Sequence, residues 1–171
     1  MILASARLGR LFSAWMDTWV DAAARAERGK PAGIIPSAIH WPGGNIGGVG
    51  PERWDPQNHS GPGLYRWPGA MSLMSHTLLL TLHMTGDDKY LAPLESMAAA
   101  RLEYLRNPPD ESPPEGSMAW CASRLGHLSG VLGKYRFLSG NTRFDGLFAL
   151  DPTPYVAFRL HGDLKRLEAA I

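Results

Sequence analysis

The sequence predicts a mainly α protein made of antiparallel helical hairpins, and three observations carry that prediction. Apolar residues recur at steps of three and four through most of the 171 residues. Alternation with a period of two is weak throughout, the best short strand candidate being Ile34 to Ile39. Glycine and proline are concentrated: 10 of 19 Gly and 7 of 14 Pro fall between Gly29 and Gly69, which leaves the rest of the chain free to be helical.

The first helix is predicted over residues 3–28, with Leu8, Leu11, Phe12, Trp15, Trp19 and Ala23 as its apolar stripe. Before Asp17 it holds Arg7 and Arg10 and no acid, which superficially suits a transit peptide; an ordinary amphipathic helix is the preferred reading. The segment 29–69 then reads as one long ordered loop. It holds Trp41, Trp54 and Trp67, and aromatic content argues against a flexible linker or disorder. Further helices are predicted at 70–85 (Met71, Met74, Leu78, Leu82), 88–106 (Leu91, Leu94, Ala98, Leu102, Leu105) and 117–138 (Met118, Cys121, Leu125, Leu128, Leu132, Tyr135). A short helix around 142–149 and a last one at 154–170, with Ala157, Leu160, Leu164 and Leu167, complete the series.

Composition excludes several classes. A net charge of +1 with no basic stripe argues against a nucleic-acid partner. A single cysteine, Cys121, allows no internal disulfide or cysteine-built metal site and reads as a buried small hydrophobe. No apolar run approaches the roughly 18 residues of a membrane span, no convincing signal peptide is present, and no membrane partner is expected; the compartment stays open. His76 and His83 share a helix face without a third ligand, so no metal or other cofactor is expected. The run Gly43 to Gly50 lacks the strand–turn–helix setting of a nucleotide loop, and there is no Walker A, His-Glu-x-x-His or Gly-x-Ser-x-Gly motif.

Two helix junctions repeat. Met84-Thr85-Gly86-Asp87-Asp88-Lys89-Tyr90 and Leu138-Ser139-Gly140-Asn141-Thr142-Arg143-Phe144 share an apolar residue, a hydroxyl, Gly, Asp or Asn, a variable residue, a base and an aromatic. Gly ends a helix in the left-handed conformation, and Asp or Asn caps the next. Each junction predicts a tight αα-hairpin turn, and the two glycines lie 54 residues apart. In an antiparallel array both tight turns fall at one end. The loops 29–69 and 107–117 then share the other, as in a scaffold with a functional rim.

Helical hairpins joined by a Thr-Gly-Asp-x-Lys-Tyr-Leu turn resemble the α/α-toroid, or six-hairpin, carbohydrate enzymes. The likeness rests on Met84 to Leu91, its echo at Leu138 to Phe144, and the Gly/Trp-rich loop led by Gly29-Lys30-Pro31-x-Gly33-Ile34-Ile35-Pro36. It implies part of an (α/α) toroid and a glycoside hydrolase or polysaccharide lyase, with the substrate cleft at the long-loop end. A closed ring needs about six hairpins, roughly 300 residues, and this chain supplies about three. The expectation is therefore a single but incomplete domain over 1–171, completed by further hairpins or by self-association. The ending at Glu168 to Ile171, inside an apparent helix without a stop signal, favours truncation.

The candidate chemistry lies on the loop. Glu52 and Asp55 are two carboxylates close in sequence, as glycoside hydrolysis requires; the competing role is to cap or brace the loop. Elimination beside a uronate wants a Tyr or His base and cations, for which the loop offers His40, His59, Tyr65, Arg53 and Arg66. Asp110, Glu111 and Glu115 read as solvated. Trp41, Trp54, Tyr65 and Trp67, joined by Trp120 just after the second loop, are the aromatic candidates for stacking on an oligo- or polysaccharide, against a competing role as a hydrophobic plug. The alternatives to an enzyme are a non-enzymatic helical-hairpin interaction scaffold, with the aromatic loop as docking surface, and an inactive fragment.

Overall fold

The structure is a computed structural model and describes residues 2–47, 54, 56 and 67–153. Its helices are α1 (Ile2–Ala24), α2 (Gly69–Thr85), α3 (Ala92–Arg106), α4 (Met118–Ser123), α5 (Gly126–Ser139) and α6 (Asp145–Leu150). One two-stranded antiparallel hairpin joins them, β1 (Ile39–His40) and β2 (Asn45–Ile46), with Ile39 opposite Ile46. The mainly α class follows directly from the three- and four-residue periodicity. The helix expected at 154–170 lies outside the described residues.

The helices form two rows. Helix α1 packs on α3 and α3 on α6, while α2 packs on α5 in the second row. The apolar stripes meet between the rows: Met16 and Ala23 of α1, Met71 and Leu78 of α2, Leu94 and Met97 of α3, Leu128 and Leu132 of α5, and Phe148 of α6 are all buried.

Both repeated junctions have the expected conformation, and they match atom for atom. Gly86 and Gly140 sit at φ 69° and 73°. The Thr85 Oγ1 accepts from the Asp87 amide, as the Ser139 Oγ does from the Asn141 amide. The Asp87 Oδ1 accepts from the Lys89 amide, as the Asn141 Oδ1 does from the Arg143 amide. Tyr90 and Phe144 then enter the core. The bases complete the parallel. Lys89, at the start of the α3 arm, pairs with Asp17 of α1 at 3.0 Å, and the Tyr90 hydroxyl donates to the same carboxylate. Arg143, at the start of the α6 arm, pairs with Glu95 of α3. The first turn thus latches the start of α3 onto α1, and the second latches the start of α6 onto α3.

Several boundaries differ from the sequence expectation, among them the start of α3, which lies at Ala92 rather than 88, behind a single 3-10 turn at Asp88–Tyr90. Helix α1 stops at Ala24, because Arg28 and Gly29 both take positive φ and turn the chain back. The helix expected over 117–138 is broken between Ser123 and Gly126. Arg101 of α3 donates from Nη1 to the carbonyls of Ala122 and Ser123, 3.1 Å to each, so these acceptors are satisfied without a continuous helix. The strand is not at Ile34–Ile39. Ile34 to Ser37 are buried without a β partner, and the ladder forms one step later, where the turn around Gly44 (φ 70°) lets the chain reverse against Thr18.

Candidate functional site

The two long connections are sewn together by indoles. Trp67 meets Trp54 edge-on at 6.1 Å between ring centroids and Trp120 at 5.5 Å. The Trp67 Nε1 donates to the Ile35 carbonyl at 2.9 Å, and its backbone amide donates to the Pro56 carbonyl. On the second connection Gly116 takes φ 83° and approaches so closely that a Cβ there would lie 2.9 Å from the Trp54 Nε1. The connections therefore share one end of the bundle, opposite the tight turns, as the alternation of hairpins requires.

The same packing decides what these side chains can do. Trp54, Trp67 and Trp120, expected to stack on a sugar, are 2%, 1% and 5% exposed. Their ring faces are taken by one another and, for Trp120, by the Arg124 guanidinium 4.1 Å away. They are a plug that ties Trp54 and Trp67 of the first connection to the start of α4, large aromatic area buried between segments distant in sequence. Trp41 behaves differently: it is 49% exposed, at the turn of the β1–β2 hairpin, with His40 exposed beside it. Glu52, Arg53, Asp55, His59, Tyr65 and Arg66 lie outside the described residues. Asp110, Glu111 and Glu115 are exposed on the second connection. His76 and His83 are exposed on α2, and among the described residues no three His, Cys, Asp or Glu side chains gather where they could hold a metal.

The β1–β2 hairpin does not stay at the loop end. It folds back along α1, fixed by a short polar strap after that helix. Arg25 donates to the Gly44 carbonyl at 2.5 Å and to Glu27 at 3.0 Å, and Glu27 accepts from the Ile46 amide. Burial alone would raise the Glu27 carboxyl, but the Ile46 amide and the Arg25 charge outweigh it and hold the group below its ordinary value. The strap carries Trp41 to α1, where Leu8, Leu11, Phe12, Trp15 and Trp41 line an open groove of about 520 Å³.

Comparison of the chain with family models, with curated proteins and with solved structures finds no match.

One residue that composition did not flag is central to the loop's foundation. Lys30 is 1% exposed, and its Nζ donates to the carbonyls of Ala23, Pro31 and Ile34 at 3.1, 2.7 and 2.8 Å. The ammonium closes the C-terminal turn of α1, where the helix dipole favours a cation, and pins the first turn of the loop in the same stroke. Burial pulls its pKa down to about 8, and burial pushes the neighbouring Cys121 thiol up to about 12. Cys121 is accordingly inert and fully buried, as its place on the core stripe predicts. The sequence signal for Lys30 was its position: a lysine between Gly29 and Pro31, one turn past a helix end.

Proposed function

We propose that this chain is part of an α/α-toroid domain of a carbohydrate-active enzyme, with an oligo- or polysaccharide bound at the loop end. The observation that supports this most is the segregation of the two ends. Short, repeated turns occupy one end, and two long connections fastened by Trp54, Trp67 and Trp120 occupy the other. The buried indoles are the foundation of the rim, and sugar contact falls to the loop residues between the β1–β2 hairpin and Trp67. In hydrolysis, Glu52 and Asp55 would divide the work. One protonates the glycosidic oxygen and the other acts as base or nucleophile, at a separation of about 5–10 Å set by the mechanism. In elimination, His59 or Tyr65 would take the proton beside a uronate, with Arg53 and Arg66 neutralising its carboxylate; His40 goes with the hairpin along α1 and away from that end. Further hairpins, from self-association or from additional chain, would complete the ring.

The test is a calorimetric titration of neutral and acidic oligosaccharides, followed in parallel by tryptophan fluorescence. Binding should appear for one sugar class and should be unchanged in Trp41→Phe, since the hairpin that bears Trp41 folds back along α1 and away from the loop end. A panel producing neither heat nor a spectral change would overturn the reading. A second reading, a non-enzymatic interaction scaffold, is favoured by the burial of three of the four candidate tryptophans. It would gain if sugars fail while the chain captures a protein partner through the same rim.

A further inference from the structure

The apolar stripe of α1 does not end where its packing ends. Among the described side chains of the helix, Phe12 is the first to pack on the core, and Trp15, Met16 and Trp19 follow. Asp17 stands level with Lys89 and Tyr90, which mark the tight-turn end of the bundle. The stripe nevertheless continues outward at the same three- and four-residue steps through Leu11 and Leu8, which are 53% and 69% exposed. A helical overhang of this length is marginal in water on its own, so the continued apolar stripe needs something to cover it. Trp41, delivered from a different element by the Arg25–Glu27 strap, widens the stripe into an open apolar face.

We propose that this face docks the protein onto an anionic lipid surface. Charge carries the choice of occupant. Between Ile2 and Met16 the sequence has two cations, Arg7 and Arg10, and no acid; both arginines are exposed, and the acids of α1 begin only at Asp17, at the level of the tight turn. With Leu, Phe and Trp on one face, Arg7 at its border and Arg10 on the polar face, the amphipathic helix is suited to the headgroup boundary, where long cationic side chains reach phosphate. The face also presents aliphatic and aromatic carbon almost exclusively, so it holds few of the hydrogen-bonding groups that fix a protein partner's orientation. A lipid surface needs no such groups. Among the described residues no helix is long and apolar enough to cross a membrane, so the contact lies in the interface plane. This departs from the expectation of no membrane partner and is independent of any saccharide activity.

The experiment is co-sedimentation of the full chain with phosphatidylcholine vesicles, with and without phosphatidylserine. Binding is expected only with the anionic lipid, weakening as salt is raised. Leu8→Glu with Leu11→Glu should lower the partition by about tenfold or more, with helical content unchanged because both side chains are exposed in the folded chain. Arg7→Gln with Arg10→Gln should lower it by about fivefold per charge, leaving the apolar face intact. Equal binding to neutral and anionic vesicles, or no effect of either double variant, would overturn the proposal. So would self-association abolished by Leu8→Glu and Leu11→Glu in a chain that ignores vesicles, which would assign the face to a protein contact.

Discussion

The two ends of the bundle are held by opposite strategies. At the turn end, order comes from backbone chemistry within seven residues: a left-handed glycine, a hydroxyl, a capping Asp or Asn, and a base that latches the coming helix to an earlier, non-adjacent one. At the loop end, order comes from bulk. Three indoles, the Lys30 ammonium and the close approach of Gly116 join segments that are distant in sequence. Local chemistry can be repeated along a chain with little change, as the two junctions show. A tertiary plug belongs to one place and fails as a unit.

That contrast sets the order of expected effects. Trp67→Ala should be the most damaging change, costing about 3–5 kcal/mol in denaturant unfolding, because it empties the centre of the plug and frees the Ile35 carbonyl. Retention of near-wild-type stability would mean that the loop is not fastened by its indoles. Gly116→Ala comes next, at about 1–3 kcal/mol, since the added methyl meets Trp54 and the backbone is in the left-handed region. Gly86→Ala and Gly140→Ala should each cost about 1 kcal/mol and should cost the same, because neither site has a neighbour within 4 Å and only the backbone is strained. Unequal melting temperatures for that pair would show that the two turns are alike in form only. Lys89→Ala and Arg143→Ala should give the smallest losses, since both ion pairs are largely exposed and salt-screened.

Lys30 adds a test that reads pH rather than strength. Its folded pKa, about 8, lies below the ordinary lysine value of 10.5. Between those two values the unfolded chain holds more protons than the folded one, so stability should rise as pH increases through that window. Lys30→Met should be less stable at every pH, because three carbonyls lose their donor, but the rise attributable to this group should disappear from its stability–pH profile. An unchanged slope would show that Lys30 is not the buried cation described here.

The sequence was most legible where interactions are short-range. Helix α2 begins and ends within one residue of its expected span, and both tight turns, with their caps, follow from six residue classes in order. Legibility failed where a distant group intervened. Nothing in the period of residues 117–138 shows that Arg101, on another helix, will take the Ala122 and Ser123 carbonyls and break the helix there. Ile34 to Ser37 resemble a strand because they are apolar, yet they are buried as irregular chain, and the hairpin belongs to the Gly43–Gly44 turn beyond them. The abundance of tryptophan identified the loop as ordered, but it gave no means of separating Trp41, which faces solvent, from Trp54, Trp67 and Trp120, which face one another.

The direction of the latches has a consequence for how the chain is made. Lys89 reaches back to Asp17, and Arg143 reaches back to Glu95; in both cases the acid precedes the base. During synthesis, at about 5–20 residues per second, the helix bearing each acid is already outside the ribosome when its basic partner emerges. For both of these turns the acid of the docking edge is therefore made before the base that seeks it, an order compatible with assembly during translation. The plug is built on another schedule. Trp54 and Trp67 wait for Trp120, 53 residues after Trp67, so the loop end closes only once most of the scaffold beneath it is in place.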